Sequence, residues 1–455
     1  MRLRKLAFLL CLLLPFPTAA LASETPAEHA ANVAAQQEMD AAPPHSNLPD
    51  YSLAPDQLAK AQHISAVRVR THFAEVIWSI LQLALLLWLG VIAWMRDKAV
   101  RAGASLEASG KHKTSRWVQG FVFLLLFLLA GFILDLPLGL YRHQLSLQYG
   151  LSVQGWGSWF GDQAKTLAIT LILGWLGIML LFRRIRKAPR RWWFIFWAIS
   201  VPITLAGVFA TPYVIDPLFN KFEPLQKTNP ALVAQLEKVV ARGNMDIPPE
   251  RMFLMKASAK VTTMNAYVTG FGASKRVVVW DTSLVKGTPD EVLFIFGHES
   301  GHYVLNHIVS GIFYTELTLL VLFYLGYRFI QWALGRFGAR WRIPSQQDWG
   351  ALAVLLLAFS LFSAILEPAQ NAWSREHEHA ADVYGQEAIH GIVADPQKSA
   401  AGAFQVLGES SLDEPNTPPF VEFWMYNHPS TGRRAAFSAH YDPWAPGAEP
   451  KYFKK

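Results

Sequence analysis

Two histidines and a glutamate form an H-E-x-x-H motif at His298, Glu299 and His302. On an α-helix, side chains four residues apart lie on the same face, so both imidazole rings can reach one metal ion. Glu299 lies beside them, where a carboxylate can take a proton from a water molecule at that metal. Among 455 residues with 14 histidines, such a motif has a chance of roughly 2 % of arising by accident. The surrounding elements must therefore show whether it is a metal centre.

A catalytic zinc site needs a third protein ligand and leaves its fourth position open. The metzincin pattern would supply that ligand nearby, but Leu305 and Ile308 stand where it requires glycine and histidine. His307 follows His302 by five residues. On a continuous helix this spacing turns the side chain to another face, and we predict a structural role for His307. The third ligand must come from elsewhere in the chain.

The best source of that ligand is the run S-R-E-H-E-H-A-A-D at residues 374–382. On a helix, Glu378 and Asp382 lie one turn apart, so one carboxylate can bind the metal while the other orients a ligand histidine. Spacing alone does not separate Glu376 from Glu378 as the ligand, and it does not exclude His377 or His379.

The H-E-x-x-H motif lies in a predicted helix that starts with P-D-E at residues 289–291. Acidic residues in the first turn suit the helix dipole, and proline suits the first helical position. The apolar residues of 292–296 then bury the helix ahead of the motif. Gly301, inside the motif, is small enough to let another backbone or a substrate approach closely.

The composition indicates an integral membrane protein, because 52 % of the residues are hydrophobic and only 16 % are charged. Six apolar segments are long enough, or nearly so, to cross about 30 Å of hydrocarbon. They are 73–94, 118–140, 166–182, 192–215, 308–334 and 349–366. The polar stretches 216–290 and 367–455 interrupt this set and carry the chemistry.

The N-terminus resembles a secretory signal peptide over residues 1–22, with basic residues, an apolar run and an A-x-A-type cleavage site. An uncleaved anchor helix is the alternative. The only cysteine, Cys11, lies in this run, which excludes structural disulfides and thiolate-bound zinc. Residues 23–66 are rich in Ala, Pro and Gln without sustained periodicity, which predicts an exposed, partly disordered polar segment.

We therefore predict six parts along the chain. They are a signal peptide or anchor at 1–22, an exposed polar segment at 23–66, four membrane helices at 67–215, a first catalytic part with H-E-x-x-H at 216–307, two membrane helices at 308–366, and a second catalytic part with the third ligand at 367–455.

Basic residues set the expected orientation of these spans. The loops at 96–116 and 183–191 each contain six Lys or Arg, and three more Arg lie at 336–342. The loop at 141–165 has only two basic residues. Loops with such an excess stay cytoplasmic, so both catalytic parts are predicted on the opposite, periplasmic side. This clustering also explains the net charge of +7 without a nucleic-acid partner. The predicted partners are a lipid bilayer and a protein or peptide substrate.

In combination, these motifs resemble the type I CAAX prenyl proteases, which are membrane-embedded zinc endopeptidases. That family has an H-E-x-x-H box and, after two membrane helices, the motif S-R-x-x-E-x-x-A-D. This chain matches the second motif at Ser374, Arg375, Glu378, Ala381 and Asp382. The resemblance spans roughly residues 130–440. It also includes D-P-L-F-N-K-F at 216–222, Leu136-Pro137 with Tyr141, N-A-Y at 265–267 before R-V-V-V-W at 276–280, and His428-Pro429 with Arg434.

The resemblance implies one Zn²⁺ per chain, with Glu378 as the third ligand and Asp382 orienting a ligand histidine. It implies that Asn265, Ala266 and Tyr267 belong to an edge strand that binds the substrate backbone. It also implies that His428 and Arg434 help to hold the scissile carbonyl and its oxyanion. The expected fold is an all-α integral membrane protein, with a helical barrel around a water-filled chamber and a small β-hairpin near the site.

The sequence departs from this family in its expected orientation and N-terminus. Since the charge pattern puts the active site outside the cytoplasm, prenylated cysteine substrates are not expected. We predict a multi-pass inner-membrane endopeptidase acting on membrane or periplasmic proteins in quality control. A silent metal-bound chaperone or adaptor is the alternative, but a structural zinc would not require Glu299. A transporter would leave the H-E-x-x-H box unexplained. The sequence does not predict the oligomeric state.

Overall fold

A computed structural model describes residues 51–270 and 275–453. The predicted signal peptide or anchor at 1–22 lies outside these residues, as does the polar segment up to residue 50. The helices are α1 Pro55–Trp88, α2 Val91–Ala102, α3 Ala104–Ala108, α4 His112–Gln148, α5 Trp156–Lys187, α6 Trp192–Ala210, α7 Asp216–Phe219, α8 Leu225–Thr228, α9 Pro230–Arg242, α10 Asp281–Lys286, α11 Pro289–Val304, α12 His307–Trp341, α13 Ala351–Ile389, α14 Pro396–Ser411, α15 Pro419–Met425 and α16 Thr431–His440. The strands are β1 Phe222–Pro224, β2 Met252–Met255, β3 Ala266–Thr269 and β4 Arg276–Trp280.

Six helical segments of the described chain are long and apolar enough to cross a membrane. They are α1, α4, α5, the segment Trp192–Phe219, α12 and α13. The prediction of six spans is therefore confirmed in number and order. In the fourth span, a π-helical turn at Thr211–Ile215, with Pro212 in its first positions, joins α6 to α7.

The first span differs from the prediction at both ends. Its helix begins at Pro55, and Ala61, Ile64 and Tyr51 are all buried. The prediction of partial disorder is thus wrong for residues 55–66, although most of these side chains are exposed as predicted. The Ala- and Gln-rich composition favours a helix, and this one buries only a narrow stripe, too sparse to give an apolar periodicity. At the other end, Gly90 adopts a left-handed φ of 74°, which breaks the predicted span 73–94.

The three basic loops meet at one end of the helical bundle. Arg96 forms an ion pair with Asp348 and donates a hydrogen bond to the backbone carbonyl of Arg342 at 3.1 Å. Gln346 donates to the backbone carbonyl of Pro189 at 2.9 Å. The H-E-x-x-H helix lies at the far end of α12, whose 35 residues span about 50 Å. The basic loops and the motif therefore occupy opposite ends of the molecule.

The β structure is larger than the predicted hairpin. Strands β3 and β4 form an antiparallel hairpin, as expected. Parallel β2 and antiparallel β1 extend it into a four-stranded sheet of order β1-β2-β4-β3. Strand β3 is an edge of this sheet and lies against α11, so the sheet presents its edge to the H-E-x-x-H helix.

Helix α13 is continuous over 39 residues. The predicted boundary between 366 and 367 falls inside it, because Pro368 does not end the helix. One helix therefore contains both the last membrane span and the whole run 374–382.

Candidate metal centre

The H-E-x-x-H helix α11 starts at a capping box. The Thr288 side chain accepts a hydrogen bond from the Glu291 amide at 3.3 Å, and the Glu291 carboxylate accepts one from the Thr288 amide at 2.8 Å. Pro289 occupies the first helical position. These caps satisfy amide groups that the first turn leaves free, so the helix begins where the sequence predicts.

Three glycines let α11 and α13 approach almost to backbone contact. A Cβ atom on Gly297 would lie 2.9 Å from the Gly385 carbonyl oxygen, and one on Gly385 would lie 2.6 Å from the His298 amide nitrogen. A Cβ on Gly301 would lie 3.1 Å from the Cα of Ala381. The expectation of a close approach at Gly301 is confirmed. This contact brings the face of α11 with the histidines against the run 374–382 of α13.

His298, His302 and Glu378 converge on one point. The two Nε2 atoms of the histidines are 3.2 Å apart. Glu378 Oε2 lies 3.3 Å from His298 Nε2, and Glu378 Oε1 lies 3.5 Å from His302 Nε2. Tetrahedral zinc with ligand bonds of 2.0–2.2 Å places its ligand atoms about 3.3–3.6 Å apart. The donor set and its spacing therefore fit a zinc ion.

The other candidates in the run 374–382 face different surroundings. The ring of His377 contacts His307, with 4.4 Å between centroids, and His379 packs on Phe437 at 4.5 Å. Among the described residues, Glu378 is the member of the run that has a carboxylate oxygen within 4.8 Å of a ring nitrogen of each of the two histidines. The structure thus favours the ligand that the family resemblance implies, where spacing left four possibilities.

Asp382 binds the second ring nitrogen of His298. Its Oδ1 atom lies 2.8 Å from His298 Nδ1, and its two oxygens accept hydrogen bonds from Arg434 Nε at 2.8 Å and Nη2 at 2.6 Å. The predicted orienting contact of Asp382 is therefore present. The guanidinium of Arg434 is bound to Asp382, and its Nη2 also lies 3.6 Å from Glu378 Oε2. The contact of Arg434 with an oxyanion stays a prediction.

His428 lies on the open side of the ligands. Its Nε2 atom is 3.1 Å from Glu378 Oε1, and its side chain is 48 % exposed. The ring is also held from behind, since Nδ1 lies 2.9 Å from the Asn427 side-chain oxygen. A substrate carbonyl that approached the ligands would therefore meet His428.

His307 contradicts the prediction that it points to another face. Helix α11 ends at Val304, and Asn306 takes a left-handed φ of 59° that starts α12 at His307. This turn brings His307 Nδ1 to 3.1 Å from His302 Nδ1. On a continuous helix a five-residue spacing would separate the two rings, but the helix is interrupted between His302 and His307.

Burial and neighbouring charges shift the pKa values in α11. Burial raises the pKa of the Glu299 carboxyl, although the nearby His298 and His302 act in the opposite direction. Burial would lower the pKa of His298, but its hydrogen bonds to Asp382 and Glu378 outweigh burial and raise that pKa to about 10. The carboxylates of Asp382 and Glu378 thus favour positive charge at His298. The raised pKa suits Glu299 to hold a proton that it has accepted.

The predicted substrate strand lies at the open edge of the sheet. The Trp280 amide donates to the Asn265 carbonyl at 3.1 Å, so the backbone of Asn265 faces β4. By the alternation of an antiparallel pair, the backbone of Tyr267 also faces β4, and that of Ala266 faces away from it. Of the three predicted residues, Ala266 is therefore the one whose amide and carbonyl point away from β4, and this residue is buried, whereas Asn265 is exposed.

Two family profiles match the chain. "CAAX prenyl protease N-terminal, five membrane helices" matches residues 36–221, and "Peptidase family M48" matches residues 226–440. The uncharacterized metalloprotease YhfN of Bacillus subtilis is 33 % identical over 333 residues, which cover 71 % of this chain and 76 % of that protein. CAAX prenyl protease 1 of Saccharomyces cerevisiae is 26 % identical over 346 residues, which cover 71 % and 72 % of the two chains.

A solved structure has the same fold. The crystal structure of S. mikatae Ste24p superimposes with a TM-score of 0.72 and 21 % sequence identity, and it covers 90 % of this chain and 98 % of its own. This agreement supports the predicted multi-span helical architecture around a zincin-type helix.

Proposed function

The chain belongs to peptidase family M48 and is a membrane zinc metalloprotease, and we propose that it cleaves membrane and periplasmic proteins in quality control. The observation that carries this proposal is the position of the metal centre at the end of the bundle opposite the basic loops. Positive loops stay in the cytoplasm, which supports a position of the centre on the periplasmic side of the inner membrane.

The metal ligands of this proposal are His298, His302 and Glu378. When bound, zinc supplies a Lewis acid that polarises a carbonyl group and lowers the pKa of water. Glu299 takes a proton from the attacking water as the water oxygen forms a bond to the peptide carbon. Glu299 then gives that proton to the leaving amine as the C–N bond breaks, so the proton balance closes.

The remaining residues hold the substrate and the ligands. The edge strand at Asn265, Ala266 and Tyr267 pairs with an extended substrate segment, which gives sequence-tolerant binding suited to unfolded proteins. The exposed ring of His428, when both of its nitrogens carry a proton, donates a hydrogen bond from Nε2 to the carbonyl oxygen as negative charge develops there. Asp382 and Arg434 hold His298 in place from behind.

Purified protein and unstructured casein test the proposed activity. We expect zinc-dependent cleavage that a chelator abolishes and added zinc restores, with the Glu299→Gln protein as the inactive control. Stable casein in the presence of fully zinc-loaded wild type would contradict a broad endopeptidase function and favour a restricted substrate.

Cysteine labelling tests the side of the membrane. In a chain with Cys11 replaced, a cysteine at the exposed Lys227 should react with an impermeant thiol reagent in intact spheroplasts. A cysteine at the exposed Arg190, in a basic loop, is the matched control and should react only after the membrane is breached. The reverse pattern would place the site in the cytoplasm and overturn the proposed substrate pool.

A further inference from the structure

The two ligand histidines differ in what binds their second ring nitrogen. His298 Nδ1 lies 2.8 Å from a carboxylate oxygen of Asp382. His302 Nδ1 lies 3.1 Å from Nδ1 of another histidine, His307. Both ligand rings direct Nε2 toward Glu378, so each uses Nδ1 for its orienting contact. His307 therefore occupies the position at His302 that Asp382 occupies at His298.

The hydrogen-bond chemistry assigns the tautomers of this pair. A neutral histidine that offers Nε2 to a metal must carry its proton on Nδ1. His302 Nδ1 is then the donor, and His307 Nδ1 must accept with its lone pair. His307 in turn carries its own proton on Nε2. The contact thus works with both rings neutral and requires no charge at His307.

The surroundings of His307 fix its ring without supplying a charge partner. The side chain is buried and packs edge-on against the ring of His377 at 4.4 Å. His377 is itself fixed, because its Nδ1 lies 2.9 Å from the Trp373 carbonyl oxygen and its Nε2 lies 3.3 Å from Ser310 Oγ. Within the described residues, Nε2 of His307 has no hydrogen-bond partner.

A cavity lies beside the ligands and His307. Its volume is about 290 Å³, and its wall includes His302, His307, Thr204, Trp373 and Glu378. One water occupies about 30 Å³ of liquid, so the space accommodates several. The Nε2 atom itself is closed off from this space, so its N–H has no hydrogen-bond partner within the described residues, while Nδ1 contacts His302.

We propose that His307 is a positioning residue, which fixes the tautomer and orientation of the ligand His302 through a neutral Nδ1 acceptor. The inference rests on the proposed zinc site at His298, His302 and Glu378. It extends that site with a residue that enters from the membrane helix α12, through the left-handed turn at Asn306.

Two isosteric substitutions test the acceptor itself. In His307→Asn, the side-chain oxygen lies close to the position of Nδ1 and can accept from His302. The leucine side chain in His307→Leu has nearly the same shape as asparagine but no hydrogen-bond acceptor. Loss of such an orienting partner lowers metal affinity about 10–100-fold. We expect this loss of zinc affinity, measured by chelator competition, in His307→Leu, and a value within a few-fold of wild type in His307→Asn.

Cobalt substitution provides a second readout that does not depend on turnover. The visible absorption of bound Co²⁺ reports the ligand geometry, and we expect an altered spectrum for His307→Leu and a wild-type spectrum for His307→Asn. Equal losses of affinity in both variants, or no loss in either, would overturn the acceptor role. Wild-type protein that binds no zinc would instead refute the metal site, and unfolding curves of the metal-free variants separate misfolding from both results.

Discussion

The two sides of the metal centre hold their histidines by different chemistry. On the side of α13 and α16, a carboxylate and a guanidinium, Asp382 and Arg434, form a buried ion pair behind His298. On the side of α12, the neutral His307 lies behind His302. A buried carboxylate needs a countercharge, whereas an imidazole does not. The neutral arrangement lies where α12 passes directly into its membrane span, and there a charge would cost most.

The largest effect should come from the ligand that the two sides share. We expect Glu378→Ala to lose zinc and all activity, because a three-ligand site rarely survives losing one. Glu376→Ala is the matched control, since its position on α13 is two residues, or about 200° of helix, away. Metal analysis of both purified proteins checks this. Zinc retained by the first variant and lost by the second would reverse the assignment.

Removal of the base should separate binding from turnover. In Glu299→Gln the amide cannot accept the proton, so kcat should fall about 10²–10⁴-fold. Neither side of the centre is touched, and zinc content should remain at about one ion per chain. Undiminished peptidase activity in this variant would falsify the role of Glu299.

On the charged side, removing Asp382 alone should lower stability more than removing Asp382 and Arg434 together. Asp382→Asn removes the hydrogen-bonded carboxylate of the buried Arg434 guanidinium and leaves Glu378 3.6 Å away, which should lower the free energy of unfolding by about 3 kcal/mol. Adding Arg434→Met to this variant removes the stranded charge and should recover part of that loss. Urea unfolding of the single and double variants measures both values. A double variant whose loss of stability equals or exceeds the sum of the two single losses would show that the ion pair is not a coupled unit.

The smallest effect concerns how tightly each side is packed. A Cβ on Gly385 would lie 2.6 Å from the His298 amide nitrogen, so Gly385→Ala must separate α11 from α13 at a cost of about 2 kcal/mol. On the α12 side, a Cβ on Gly311 would lie 3.5 Å from the Trp373 ring, which is ordinary contact. Gly311→Ala should therefore unfold like wild type. Equal stability of both variants would contradict the backbone contact described for α11 and α13.

The sequence predicts what depends on local periodicity and fixed spacing. The six spans follow from apolar runs, and the pairing of His298 with His302 follows from one helical turn. The family resemblance points to Glu378, which spacing alone does not separate from its neighbours in the run 374–382.

The rest depends on contacts that no local pattern records. Arg434 lies 52 residues from Asp382 in the sequence. The residues next to Arg434 in the sequence do not indicate whether it forms an ion pair or contacts an oxyanion. The position of His307 differs from the prediction because the left-handed Asn306 separates two helices, whereas the apolar pattern of the sequence continues across it. A signal for this turn exists in the sequence, since asparagine tolerates the left-handed conformation better than most residues.

The length of α13 makes the far end of the molecule part of the metal centre. From Leu355 to Glu378 the helix extends about 35 Å, so a tilt of about 1° would displace the Glu378 carboxylate by roughly 0.6 Å. Zinc ligand distances hold within about 0.2 Å. Residues 351–359 of this helix are almost all fully buried, packed in the large apolar cluster near the basic loops. That packing fixes the direction of α13 from its far end, so the position of the Glu378 carboxylate depends on residues about 35 Å away from it.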